Sequence, residues 1–583
     1  MKEKRNLKNT RRQSLFYIGM IILILFLLNF VGSKLYTRFD LTKEKRYSVS
    51  EPSKKLLKNL DDIVSVQIYL DKDVNAGMLR LRKSVEDLMN EYKAYGGSNF
   101  EFEFISLLDG KTEDEKVKII QEYSKKGIFT TNLSYKDGDV TQQKYIMPAA
   151  MITYKSRQMP VNFLEDQIGY APEERLNNSI ISLEYKFSSA ISKLQLTTKP
   201  RLAFLVGQNE LENIEVADIT MALKEQMYDV TQLDLSKFYK VPSDISALII
   251  AKPQGRFDEK DKYKIDQYIM NGGKVLWLRE NVMADMDSLR NAQQMFWAYP
   301  TEDNLDDMMF TYGVRINQNL VQDLQMCNPI PLVTGMDGGK PQTQLFPWYY
   351  FPILLPATNN HPIIRNIDPV AGYFTSTIDT IKSSKVRKTI LLTTSQYSKA
   401  LLSPVRIHLD MLKEEPDKSS FKQPNLACAV LLEGSFTSNY KNRMASTYVD
   451  VADTVKELKF LDHSKETKMI VISDGDIIKN DLQVGGGFWP LGYYNVTGQT
   501  LANKTFILNC VEYLTDESGL ITTRSKEIKV RLLDKVKIKE EKLKWQLINT
   551  IIPIVSVILF GLVYTYLRRK RYTGKGQQNQ TSK

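Results

Sequence analysis

Cysteine and histidine are scarce in this chain of 583 residues. Its three cysteines, Cys327, Cys428 and Cys510, are odd in number and far apart, which excludes a cystine framework and offers no C-x-x-C pair for zinc or redox work. The three histidines, His361, His408 and His463, are equally scattered, so neither a metal nor another cofactor is expected. There is no G-x-S-x-G elbow, and no cysteine stands in a tight strand-to-helix turn beside a histidine; a nucleophile for hydrolysis is missing, and no enzyme activity is expected. Solenoid-period repeats are absent, and only the Gln-rich C-terminal end is low in complexity. What the chain does have is 43% hydrophobic and 25% charged side chains, enough for two or three buried cores.

Formal net charge is +11, and its location matters more than its size. Residues 1–12 carry +5 and residues 568–583 carry +6, so the body between them is neutral. A basic groove that follows a phosphate backbone is not indicated, and nucleic acid is not an expected partner.

Each basic tail abuts an apolar run. Residues 13–33 and 547–567 are both 21 residues long without a charge, which at helical rise spans roughly 30 Å, the thickness of a bilayer's hydrocarbon. Trp545, Tyr564 and Tyr566 flank the second run like interfacial anchors, and Pro553 is expected to kink it. A cleaved leader would have a shorter apolar region and a small-x-small site, which Val31-Gly32-Ser33 does not supply. Cationic tails stay in the cytoplasm, so the expectation is an inner-membrane protein with both termini cytoplasmic and a large periplasmic centre.

In the centre, helical and strand periods alternate. Ser50 is expected to cap a helix with Pro52 in its first turn, lifting the chain off the bilayer. Val64, Val66, Ile68 and Leu70 read as a strand, Leu81, Val85, Leu88 and Tyr92 as a helical stripe, and Phe100, Phe102 and Phe104 as a second strand. A long amphipathic helix through Leu176, Leu183, Phe187 and Ile191 closes a first α/β domain, residues 34–197. Residues 198–530 then read as a second α/β domain with a mostly parallel, doubly wound, flavodoxin-like sheet, interrupted by an insertion at about 280–385. A charged juxtamembrane helix, 531–546, leads to the second span.

Three segments invite a functional reading. Gly498 to Thr505 matches a phosphate loop except that Asn503 replaces the second glycine; a loop followed by an ordinary helix is the expectation. Gly207-Gln208-Asn209-Glu210 and Ser473-Asp474-Gly475-Asp476 sit at carboxyl ends of predicted strands, where open α/β sheets hold ligands, making Gly207, Gln208, Glu210, Asp474 and Asp476 candidate ligand-binding residues. Such turns are also rich in Gly and Asp for conformational reasons alone. The aromatic run Trp348, Tyr349, Tyr350 and Phe351 lies in a segment, 345–356, with three prolines, which cannot be a regular helix or central strand; it is either core or a partner surface.

With these pieces in order the chain resembles the gliding-motility-associated ABC-transporter auxiliary proteins of the Bacteroidetes, the GldG family. The likeness is carried by Arg38-Phe-Asp-Leu-Thr42 and Tyr47-Ser-Val-Ser50, by 178–185, 207–210, 266–277, 312–317, 320–323, 432–436 and 473–476, set between two terminal apolar segments. Relatives commonly have Gly-His-Gly-Glu where this chain has Gly-Gln-Asn-Glu. The resemblance implies a non-ATPase subunit that works with a separate ABC ATPase and a membrane permease in motility and secretion. It also implies that Arg38, Asp40, Leu41 and Thr42 form a membrane-proximal motif, and that the second domain is similar to an intraflagellar-transport N-terminal domain and to an amidotransferase-like fold without its cysteine. The alternatives are a periplasmic glycan- or peptide-binding module, with its ligand near Glu210 and Asp474, and a hydrolase.

Overall fold

The computed structural model describes residues 16–27, 29, 48–72, 74–137, 140–165, 170–291, 295–337, 340–358, 360–382, 385–441, 460–525 and 535–573. Arg38, Asp40, Leu41 and Thr42 lie outside them. Contacts divide the chain into two units, residues 1–526 and 527–583.

In the first unit, helix α1 (Phe16–Leu27) is the described part of the first apolar run. Helix α2 (Glu51–Lys58) carries Pro52 in its first turn, but Ser50 does not cap it. The Ser50 hydroxyl donates to Ser53 Oγ instead, and the helix buries Ser53 and Leu57 in a core rather than standing as a stalk. Strand β1 (Val64–Ile68), helix α3 (Ala76–Gly96) and strand β2 (Phe100–Phe104) form the expected β-α-β unit with β1 and β2 parallel. Helix α4 (Glu113–Lys125) begins in a capping box between Thr112 and Glu115. A separate hairpin, β3 (Thr131–Asp137) and β4 (Val140–Ile146), precedes β5 (Ala149–Tyr154) and β6 (Arg157–Asn162), and the sheet order is β2-β1-β5-β6. Helix α5 (Pro172–Gln195) lays Leu176, Leu183, Phe187, Ile191 and Leu194 into this core.

The large sheet begins with β7 (Arg201–Val206), followed by helix α6 (Ala217–Glu225), β8 (Asp229–Asp234), β9 (Ile245–Ala251), helix α7 (Glu259–Met270) and β10 (Val275–Leu278). Its further strands are β11 (Cys327–Asp337), β12 (Lys340–Pro356), β13 (Val386–Thr393), β14 (Ala427–Thr437) and β15 (His463–Ile472). Strands β8, β7, β9, β10 and β15 lie side by side and parallel, which in chain rank is 2-1-3-4-5, an order found in doubly wound sheets. Successive side chains face opposite ways. Leu202 and Phe204 therefore meet α6 and helix α8 (Asn503–Thr515), whereas Ala203 and Leu205 meet the side covered by α7.

Beyond β15 the sheet is antiparallel through β14, β13, β12 and β11, so it is mixed rather than mostly parallel. The insertion is not a detached piece either. Its own core holds Val282, Leu320, Trp348 and Phe374 but also Val405 and Ile407, past residue 385, while β12 pairs with β13 in the main sheet. Prolines do not stop β12 from being a strand second from the edge, because Pro347 sits opposite Pro329, where neither residue needs an N–H. Trp348, Tyr349, Tyr350 and Phe351 are all buried, Trp348 completely, so the aromatic run is core and not a partner surface. It packs there because Phe374 and Tyr373 meet Phe351 edge-on and Phe374 lies tilted against Tyr350.

In the second unit, helix α9 (Lys535–Thr573) is continuous through Pro553, so the charged approach and the apolar run are one helix. Its segment Glu540–Lys570 is long and apolar enough to cross a membrane.

Candidate functional site

At the carboxyl end of the parallel strands, β9, β10 and β15 each deliver a charged residue to one point. Lys252 follows β9 with φ +53°, a left-handed conformation that costs an L-residue roughly 1–2 kcal/mol. Its ammonium lies 2.7 Å from Asp476 Oδ2 and 3.0 Å from Glu280 Oε1. Oxygens of Glu280, Asp474 and Asp476 lie within 4.8 Å of one another. Gly475 is needed between the two aspartates, since a Cβ there would stand 2.6 Å from Lys252 Cβ.

Three carboxylates at this spacing could hold a cation, but the positive charge among them is the lysine's own. Burial would strip Lys252 of its proton, and Glu280 and Asp476 outweigh it, holding the ammonium above its ordinary range. Burial and then Asp476 push Glu280 well up, against the pull of Lys252. Asp474 is pushed up to about 7 by burial and by Asp476. Its Oδ2 accepts from Tyr373 N at 2.7 Å and Thr375 Oγ1 at 2.6 Å, and its Oδ1 accepts from Asp476 N at 2.9 Å. Asp474 thereby pins the 373–375 segment to the end of β15.

Gly207, Gln208 and Glu210 do not join this group. Gly207 (φ +125°) and Asn209 (φ +53°) fold the turn back so that Glu210 Oε2 accepts the Gln208 amide at 2.8 Å. Gln254 N and Gly255 N donate to Gln208 O at 3.0 and 2.7 Å, stitching the turn after β7 to the turn after β9. A Cβ on Gly255 would come within 3.0 Å of the Gln208 backbone. The two turns are thus tied to each other by their own backbone, and burial raises the Glu210 carboxyl. Sequence reasoning found Asp474 and Asp476 but missed Lys252 and Glu280. The available signal was a charged residue within two positions of an apolar strand end, Ala251-Lys252 in one case and Leu278-Arg279-Glu280 in the other.

The near-match to a phosphate loop is likewise committed elsewhere. Asn503 accepts from Ala371 N at 2.8 Å, and Lys504 Nζ lies 2.7 Å from Asp218 Oδ2.

A second arrangement joins distant parts of the chain on α5. Glu184 Oε1 accepts the Ser50 amide at 2.6 Å, and Ser188 Oγ donates to Ser53 Oγ at 2.8 Å, so this turn of α5 holds the start of α2. The next face of the same turn holds α8. Tyr185 and Ser189 donate to Glu512, the latter at 2.8 Å, and Lys193 Nζ is 3.1 Å from Glu512 Oε1. Burial pushes the Glu512 carboxyl up, and Lys193 with the two hydroxyls outweighs it, leaving it below the ordinary range. Arg524, close to where the described body ends, lies 5.1 Å over the Tyr185 ring and donates to Asn509 of α8.

The family described as ABC-type uncharacterized transport system matches residues 199–510, more than half of the chain. The chain belongs to this family. A domain of unknown function, DUF7088, matches residues 43–153, within the first α/β region. An uncharacterized protein of Borreliella burgdorferi is 21% identical over 544 residues, covering 91% of this chain and 94% of that protein. Among solved structures, the mmIFT52 N-terminal domain is similar at 11% identity and a TM-score of 0.30, over 54% of this chain and 97% of that one.

Membership of the transport-system family supports a non-ATPase accessory role and implies association with other transporter components. The long apolar helix α9 and that membership together suggest membrane association. The contacts at the strand ends depend on Lys252, Gly255 and Gly475.

Proposed function

We propose that this protein is a membrane-anchored, catalytically inactive subunit of an ABC-type transporter that couples the ATPase and permease in the membrane to a body outside the cytoplasm. One observation carries the coupling role: the body's first residues, 48–58, and its last described ones, 520–525, are gripped by the same turn of α5. Chain ends that leave a body side by side suit two helices entering one bilayer, and movement of either is felt at Glu184 and Tyr185. A shear of packed helices of this kind can pass to both α/β regions, because α5 contributes to both cores. Inner-membrane location, cytoplasmic tails and a link to gliding motility and secretion belong to this reading as well. A catalytic role is not part of it, since the carboxylates at the strand ends are engaged with Lys252 and with backbone amides. Affinity isolation of the full chain in mild detergent is expected to recover an ATPase and a permease. Repeated isolation without either would overturn the proposal.

A further inference from the structure

Just past β10 the chain enters a small sheet that turns an apolar face outward. Its strands Val282–Met283, Met295–Pro300 and Val405–His408 are antiparallel, with Met283 opposite Tyr299, Trp297 opposite Arg406 and Met295 opposite His408. Successive side chains face opposite ways, so Val282, Ala298, Val405 and Ile407 enter the core that holds Trp348, and the residues between them point away from it. Trp297, Tyr299 and Met283 are half exposed there, at 49%, 53% and 54%. Side chains directly opposite in a ladder stand about 4.5–5.5 Å apart at Cβ, so these six residues form one continuous patch.

The composition is that of a protein interface, where aromatic residues, Met and Arg are enriched and Lys, Glu and Asp depleted. Arg406 is held on the patch by a thioether, its Nε donating to Met295 Sδ at 3.0 Å, and among the described residues no carboxylate pairs with it. Neighbouring acids have other partners: Asp410 lies 2.6 Å from Lys413 Nζ, and Asp285 accepts the Ser288 amide at 3.2 Å in its own turn. Both NH2 groups of Arg406 are therefore left for a carboxylate from outside. Half-exposed rings present roughly 100 Å² each and the whole patch roughly 400 Å². A free-standing interface needs roughly 800 Å² per partner, so an occupant of this patch must already be held close by, as a component of the same complex is.

We propose that this face docks an apolar segment of the permease that carries a carboxylate for Arg406. The choice of the permease rests on the accessory role proposed above. With p-benzoylphenylalanine in place of Trp297 in the full chain, irradiation of intact cells is expected to join it to the permease at a peptide containing Asp or Glu. The yield should be at least fivefold that from the same group at Tyr239, which is 77% exposed and outside the face. Arg406→Glu, with the wild-type melting midpoint, should cut the yield at least fivefold, and Lys in place of the permease carboxylate should restore it. A product with a second copy of this chain or with lipid, none above that from Tyr239, a yield indifferent to Arg406→Glu, or a loss that the exchanged charge does not restore would overturn the proposal. In those cases, recovery of the permease by affinity isolation leaves the accessory role standing, and recovery of neither ATPase nor permease removes it too.

Discussion

The carboxylate of Glu184 holds the amide of Ser50 at 2.6 Å across 134 residues of sequence, tying the start of the folded body to the helix that also receives its end. Replacing Glu184 by Ala leaves a partly buried amide without its acceptor, a loss of about 1–3 kcal/mol. The expected result is faster proteolytic cutting between residues 48 and 58 in the full chain, with Glu184→Gln, which keeps an acceptor oxygen, close to wild type. Equal cutting rates in all three proteins would dismiss the contact as incidental.

Lys252→Met should be among the most harmful single changes. It removes the ammonium that lies 2.7 Å from Asp476 and 3.0 Å from Glu280, and an uncompensated buried charge costs about 3–5 kcal/mol. Denaturant unfolding of the solubilised chain measures it. Combining Lys252→Met with Asp476→Asn should restore a large part of the loss, because the carboxylate 2.7 Å from the lost ammonium is then removed as well, whereas Glu280, whose carboxyl is already pushed well up, should rescue less when changed to Gln.

Asp474 makes a signed prediction about pH. Its folded carboxyl, raised to about 7, keeps a proton that the unfolded chain gives up near pH 4. Between those values the unfolded state binds fewer protons, so this group's stabilisation, complete below about pH 4, is lost as pH rises towards 7. His361, lowered to about 4 by burial, works the other way between about pH 4 and 6.5. The comparison must therefore be between proteins: wild-type stability minus that of Asp474→Asn should fall from pH 4 to 7 and level off above it. A flat difference would refute the assignment.

Trp348→Ala tests whether the aromatic run is core. The side chain is fully buried, so truncation should cost about 3–5 kcal/mol in a denaturant titration. Recovery of co-isolated proteins should be unaffected at temperatures where the variant remains folded. Lost partners with unchanged stability would reverse that conclusion.

Helix α9 carries a prediction of its own. In a reporter fusion of residues 535–573, Leu559→Arg places a charge within the apolar segment Glu540–Lys570 and should disfavour insertion by up to about 2.5–3.5 kcal/mol. A glycosylation-site reporter would read this as a fall in the inserted fraction.

Element type was legible in the residues because it is a local property. Val64, Val66 and Ile68 alternate within one strand, and Leu176, Leu183, Phe187 and Ile191 repeat within one helix, whatever the rest of the chain does. The strand order β8-β7-β9-β10 was within reach, since short α/β connections leave few alternatives, but the place of β15 beside β10, across residues 279–462, was not. Tertiary structure alone decided which charges meet. Lys252 and Asp476 stand 224 residues apart, and no spacing rule links them until β9, β10 and β15 lie side by side. The same holds for Trp348 to Phe351, whose composition suits a surface or a core equally well; burial was settled by Phe374 and Tyr373, which arrive from another strand connection. Periodicity reports what a segment must hide, and only packing reports what it is hidden against.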